Sequence, residues 1–122
     1  MSTTAIIAAA VALAGAWYWD IRSWRRKSRD ELIRLLRSDD WRFHKPAIKE
    51  MRRRGEDVAV YLPRIVALLV ADSKVERAAG QMTIKDCFPE LAGEIQGYSP
   101  TEDVQACCAK AAPLLSRFPM LP

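Results

Sequence analysis

The residue types that carry most enzymatic and metal chemistry are scarce in this 122-residue sequence. It holds one histidine, three cysteines and five glycines. No Gly-rich phosphate loop or metalloprotease motif is present, and the spacing pairs no Ser, Asp or Cys with His44. Cys87, Cys107 and Cys108 form an odd set without metal-type spacing, which argues against a secreted disulfide framework and favours a reducing compartment. The sequence therefore predicts a protein that is not an enzyme and binds no cofactor or metal.

Alternation of apolar and polar residues with a period of two, the pattern of a half-buried strand, is also missing. Hydrophobic residues make up 50% of the chain and charged residues 28%, a composition typical of a folded chain rather than a disordered one. The length allows one domain after an N-terminal apolar segment. Residues 1–28 are predicted to be that segment with its basic flank, and residues 29–122 an all-α domain.

The apolar segment runs from Ala5 to Trp19 without a charge, and Asp20 is the only charge between Ser2 and Ile21. Twenty helical residues at about 1.5 Å each span about 30 Å, the thickness of a hydrocarbon core. The segment therefore predicts a single transmembrane helix. A cleaved signal peptide stays open, because Ala12-Leu13-Ala14 resembles a cleavage site, and so does a buried core helix, because alanine is only weakly apolar.

Aromatic and basic residues at the end of the apolar segment predict a membrane interface and an orientation. Residues 20–54 hold 13 Lys or Arg against 6 Asp or Glu, whereas residues 55–122 hold 6 against 9. The positive-inside bias places the N-terminal end outside and the domain on the cytoplasmic side of the cell (inner) membrane, where basic residues can also bind anionic lipid headgroups. The predicted interface residues are Trp17, Tyr18, Trp19, Arg22, Trp24, Arg25, Arg26 and Lys27.

Small residues line one side of the predicted membrane helix. Ala8, Ala12 and Ala16 recur every four residues, and Gly15 lies beside them. Small residues let helices approach closely in lipid. The stripe predicts packing against transmembrane helices of an integral membrane protein complex, with a simple anchor of low hydrophobicity as the alternative.

Helical spacing of apolar residues continues through the rest of the chain. Asp39 or Asp40 is expected to cap a helix from Trp41 to Arg54, and Pro46 predicts a 3₁₀ start or a kink in it. Ser73 is expected to cap a later helix, and Ser99-Pro100-Thr101-Glu102 resembles a capping box that opens the last one. The predicted inner faces of these three helices are Phe43, Ala47 and Met51; Val75, Ala78, Ala79 and Met82; and Val104, Cys108, Ala111 and Leu115.

Two stretches of the sequence repeat. Leu32–Leu36 matches Ile65–Leu69 at an offset of 33 residues, and a turn shortened by one residue then aligns Phe43 with Val75 and Ala47 with Ala79. Helix, Asp-containing turn and helix at such a period are typical of a solenoid. Leu68-Leu69, Asp72 and Val75-Glu76-Arg77-Ala78-Ala79 resemble the HEAT-like repeat family. The resemblance implies a short α-solenoid of two to three helical pairs that binds another protein, and an irregular helical bundle is the alternative.

Residues outside the inferred apolar stripes are the candidate partner contacts: Trp41, Tyr61 and Tyr98 among the aromatics, and Arg52, Arg53 and Arg54 among the cations. Three arginines at a helix C-terminus also interact favourably with the helix dipole, so nucleic-acid binding is the weaker interpretation. The sequence thus predicts a small accessory or assembly subunit of a membrane complex. A membrane-tethered nucleic-acid binder and a soluble bundle whose N-terminal helix is core are the alternatives.

Overall fold

The computed structural model describes residues 2–120, apart from the side chain of Tyr18. Within that range the chain is all-helical and has no β-strand, as the sequence predicts. The α-helices are α1 (Thr3–Arg26), α2 (Arg29–Arg37), α3 (His44–Arg53), α4 (Leu62–Leu68), α5 (Lys74–Cys87) and α6 (Val104–Arg117). Short 3₁₀ helices occupy Trp41–Phe43, Ala59–Tyr61 and Pro89–Ile95.

Helix α1 is longer than the uncharged segment and continues without a break through the basic flank. It is capped by Ser2, whose hydroxyl accepts a hydrogen bond from the Ala5 amide at 3.2 Å. Its 24 residues correspond to about 36 Å. By length and composition α1 is able to cross a bilayer. Only Lys27 and Ser28 separate it from α2, and Ser28 is already the N-cap of that helix.

The N-terminal part of α1 is not packed into the domain. No residue of its apolar 18-residue window is buried, and Val11 and Leu13 are 66% and 72% exposed. The interpretation of this segment as a core helix is therefore wrong for this chain. The core is built by the remaining helices without it.

The domain packs its helices in pairs. Helix α2 contacts α3, α4 contacts α5, α3 lies beside α5, and α4 also contacts α6. Leu32 and Leu36 from α2, and Ile65 and Leu69 from and just after α4, are each at most 1% exposed. The apolar positions that repeat in the sequence are thus the positions that form the core.

The start of α3 agrees with the sequence prediction. Asp40 caps the 3₁₀ turn that precedes it and accepts from the Arg42 amide at 3.1 Å. The Arg42 guanidinium also binds the Asp40 carboxylate and lowers the pKa of that group to about 2. Ala47 and Met51 are buried as predicted, whereas Phe43 stays 36% exposed.

The predicted inner face of α5 is wrong. Val75 and Met82 are 59% and 53% exposed, and α5 instead buries a face that includes Arg77 and Gly80. A Cβ added to Gly80 would lie 2.8 Å from the Cβ of Leu68, so α5 approaches α4 at its smallest residue. A rule that puts apolar side chains inside misses such a face, because it does not expect a buried arginine.

The predicted start and face of α6 are also wrong. The N-cap is Asp103, whose carboxylate accepts from the Ala106 amide at 2.7 Å. Ser99–Glu102 precedes the helix and is held by Arg77, which donates to two of its carbonyls. Starting the helix later turns it, so it buries Cys107, Ala111 and Leu114 in place of Val104, Cys108 and Leu115.

The two helical pairs keep one offset throughout. The N-caps Asp40 and Ser73 are 33 residues apart, and so are the buried polar residues His44 and Arg77. Ala47 is therefore equivalent to Gly80, because both are buried at the contact with the preceding helix. The predicted shortening of the second turn does not occur.

Candidate membrane-proximal site

A groove lies where α1 leaves the domain and passes α3. Its volume is about 450 Å³. Residues of α1 form one wall and residues of α3 the other. The lining residues are Trp17, Asp20, Ile21, Trp24, Arg25, Lys45, Pro46, Lys49, Glu50 and Arg53.

Trp24 attaches the end of α1 to the domain. It is partly buried against the core, and its ring centroid lies 6.4 Å from that of Phe43. The Lys27 ammonium lies 5.1 Å from the Trp24 ring centroid, within cation–π range. Of the predicted interface aromatics, Trp24 thus packs on the domain, whereas Trp17 and Trp19 are 69% and 65% exposed.

Arg54 fixes the position of α1 relative to α3. Its guanidinium donates to the carbonyls of Lys27 at 2.6 Å and Arg25 at 3.1 Å, and to the Glu50 carboxylate at 3.0 Å. The last carbonyls of a helix lack intrahelical donors and carry the negative end of its dipole, so Arg54 caps α1 from outside. The prediction of Arg54 as a partner contact is therefore corrected to an internal one.

Glu50 supports the floor of the groove. It is 5% exposed and accepts two hydrogen bonds from Arg53, at 2.6 and 2.9 Å, besides the one from Arg54. These bonds hold the pKa of Glu50 below its ordinary value against the opposing effect of burial. The ionised carboxylate in turn keeps both arginines in place.

A stripe of cations on α3 faces α1. Lys45, Lys49 and Arg53 recur every four residues and all line the groove. Lys45 pairs with Asp86 of α5 at 2.5 Å, whereas Lys49 and Arg25 form no ion pair among residues 2–120. Sequence reasoning missed Lys45 and Lys49. A search for cations at helical spacing between Trp41 and Arg54 would have found them.

The small residues of α1 remain unpartnered within this chain. Ala8, Ala12, Gly15 and Ala16 are all exposed, and a Cβ added to Gly15 would meet no atom within 4 Å. The basic residues Arg22 and Arg26 are exposed beside Trp19 and Ser23, around a shallow depression further along α1.

The aromatic contact candidates divide into different environments. Tyr98 is buried, and its hydroxyl donates to the Leu69 carbonyl at 2.7 Å. Burial raises the pKa of this phenol. The prediction of Tyr98 as a partner contact is corrected, because its ring is part of the core. Trp41 and Tyr61 are half-buried and keep some exposed surface, and the exposed Arg52 lies over the Phe88 ring at 5.4 Å.

The cysteines are separate free thiols. Cys87 and Cys107 are buried and Cys108 is exposed. Residues 2–120 contain no group of three or more His, Cys, Asp or Glu side chains arranged to hold a metal ion.

Comparisons of the chain with protein-family models, with curated proteins and with solved structures find no match. What the chain does is therefore inferred from α1, the groove and the helical pairs.

Proposed function

We propose that this chain is a membrane-anchored protein-interaction module, a small accessory or assembly subunit of a membrane protein complex. Helix α1 spans the bilayer with its N-terminal end outside, and the domain lies on the cytoplasmic side as a short HEAT-like solenoid. The observation that carries the proposal is the complete exposure of the apolar part of α1.

Exposed apolar residues on a helix of this length require a cover. Leaving a large aliphatic side chain in water rather than burying it costs about 2 kcal/mol, and α1 exposes Ile6, Ile7, Val11 and Leu13 by 53% or more. The domain supplies no cover, so lipid or the helices of other subunits must provide it. The basic residues after Trp19 support the orientation.

The attachment of α1 to the domain supports a structural role. Arg54 and Trp24 hold the base of α1 against α3, so the domain is fixed close to the bilayer rather than carried on a flexible linker. A fixed position suits a subunit that covers one surface of a neighbouring complex. The smooth side of α1, formed by Ala8, Ala12 and Ala16, is where that complex would contact it.

Membrane integration is tested by carbonate extraction of native membranes. Val11→Asp places a charge in the proposed span and is expected to move the protein into the soluble fraction. Val75→Asp, the same change at a comparably exposed position on α5, should leave it in the pellet. Recovery of wild-type protein in the soluble fraction would refute the anchor.

Orientation is tested by labelling with a membrane-impermeant maleimide in sealed right-side-out vesicles. Native Cys108 is expected to react only after the vesicles are opened. In a Cys108→Ser background, a Thr4→Cys variant should react before opening. The reverse pattern would show that the domain lies outside.

Association with a complex is tested by purification in mild detergent. Replacing Ala8 and Ala12 with Leu should reduce the recovery of co-purifying membrane proteins by about tenfold, because the larger side chains prevent close helix approach. Ala10→Leu with Ala14→Leu, on the opposite side of α1, is the matched control. Equal recovery with both pairs of changes would leave α1 as an anchor only.

A further inference from the structure

We infer that the groove between α1 and α3 binds the phosphate-bearing headgroup of an anionic phospholipid, with Arg25 and Lys49 contacting the phosphate. This inference rests on the proposed insertion of α1 into a bilayer. It adds a defined binding site, whereas a basic flank alone would attract lipid without one.

The groove lies at the depth of the lipid headgroups when α1 spans the bilayer. Its α1 wall runs from Trp17 to Arg25, and the uncharged part of α1 ends at Trp19. Trp17 and Ile21 belong both to the groove and to the end of the apolar segment. An occupant of the groove therefore contacts the bilayer interface, the region where tryptophan side chains are enriched.

The charges of the groove favour an anion. Four cationic and two acidic side chains line it. One of the acids, Glu50, is already neutralised by Arg53 and Arg54, and Lys45 is paired with Asp86. Arg25 and Lys49 lack an ion-pair partner within residues 2–120 and are exposed. They are the cations available to a ligand, one from each wall.

The apolar part of the lining distinguishes a lipid from a free phosphate ion. Trp17, Ile21, Trp24 and Pro46 share the groove with the cations. Such a surface matches a phosphate that is joined to a glycerol backbone and the first carbons of its acyl chains. The volume of about 450 Å³ is within the range of sites for small organic molecules, and much larger than one phosphate needs.

The test uses the full chain in nanodiscs of phosphatidylcholine, with or without phosphatidylglycerol, followed by native mass spectrometry of the lipid that stays bound after release into detergent. Wild-type protein is expected to retain phosphatidylglycerol in preference to phosphatidylcholine. Arg25→Gln with Lys49→Gln should reduce that preference about tenfold or more, because both charge-assisted hydrogen bonds are lost. The matched control is Lys74→Gln with Lys110→Gln, which removes the same charge from exposed positions outside the groove.

Three outcomes would overturn the site. Equal retention by wild type and the groove variant would show that the lipid does not bind there, and an equal loss in the control would show only general attraction to charge. Displacement of the lipid by inorganic phosphate at the same concentration would show a phosphate site instead. In each case, protein that remains membrane-integrated separates this failure from a failure of the proposed anchor. Circular dichroism of each variant checks that the domain is folded.

Discussion

His44 and Arg77, 33 residues apart, both reach back to the carbonyl two residues before the N-cap of their own helical segment. His44 Nε2 lies 2.9 Å from the Ser38 oxygen, and Arg77 Nη1 donates to the Ala71 oxygen at 2.6 Å. Both side chains are 2% exposed. Carbonyls that follow a helix lack intrahelical donors, so each pair uses one buried polar side chain to close its turn.

Arg77 also connects its pair to the segment that follows. Its guanidinium donates to the carbonyls of Asp72 at 3.0 Å, Pro100 at 3.1 Å and Glu102 at 3.2 Å. Cys107, four residues after the N-cap Asp103, contacts the Glu102 oxygen through its sulfur at 3.8 Å. The same position after each cap is thus used three times, which supports the proposed relationship between the helical units.

Loss of the Arg77 guanidinium is expected to destabilise the domain strongly. Arg77→Ala leaves four carbonyls without this donor and opens a void, and a loss of about 3 kcal/mol in the free energy of unfolding is expected. The measurement is denaturant unfolding of the full chain in detergent, followed by circular dichroism. Arg37→Ala, at an exposed arginine, should change stability by less than about 0.5 kcal/mol. Similar stabilities for the two variants would contradict the proposed role of Arg77.

Substitution of Gly80 by alanine is expected to destabilise, although alanine is the better helix former by about 1 kcal/mol. The new Cβ would lie 2.8 Å from the Leu68 Cβ and 3.3 Å from the Ile65 oxygen, so α4 and α5 must move apart. Overpacking of this kind costs about 1–3 kcal/mol. Gly93→Ala, whose Cβ meets nothing within 4 Å, is the control for thermal unfolding. A Gly80→Ala variant that melts above wild type would show that the contact yields easily.

Acid is expected to weaken the contacts of Glu50 with Arg53 and Arg54. The pKa of Glu50 is lowered in the folded state from its ordinary value of 4.5, so the unfolded chain binds the proton more readily. The stabilisation is therefore present above pH 4.5 and is lost as the pH falls through the lower folded-state pKa.

A comparison of melting temperatures between neutral and acidic pH tests this contribution. The decrease on acidification should be smaller for Glu50→Gln than for wild type, and the variant should be less stable at neutral pH. Glu90→Gln, at an exposed glutamate, should keep the wild-type dependence. A Glu50→Gln profile parallel to wild type would contradict the prediction.

Thiol labelling should distinguish the three cysteines. Cys108 is exposed, whereas Cys87 and Cys107 are buried, and burial raises the pKa of the Cys87 thiol and so reduces its reactive thiolate. A thiol reagent is expected to modify one cysteine rapidly in the native protein and all three after denaturation. The Cys108→Ser variant should lose the rapid phase. Rapid labelling in that variant would show that the packing around α6 opens readily.

Local chemistry made several features readable from the sequence. The apolar segment, the all-helical class and the caps Asp40 and Ser73 depend on composition or on residues within one turn of each other. The first-helix repeat was readable for the same reason, because Leu32 and Leu36 are replaced by the similar residues Ile65 and Leu69.

The groove was only partly readable. Trp17, Trp24 and Arg25 were expected at a membrane interface, but Lys45 and Lys49 reach them only because α3 folds back beside α1. Arg54 and Tyr98 were assigned to the surface, since nothing local shows that the Lys27 and Leu69 carbonyls are their acceptors.

The sequence by itself determined that the chain has an unbroken apolar helix followed by basic residues and amphipathic helices, because these properties follow from residue type and periodicity. Only the tertiary structure decided which faces are inside. Gly80 lets α5 approach α4, and Arg77 is buried because carbonyls from two separate turns converge on it. The exposure of α1 was decided in the same way, since helices α2 to α6 complete a core that leaves it outside.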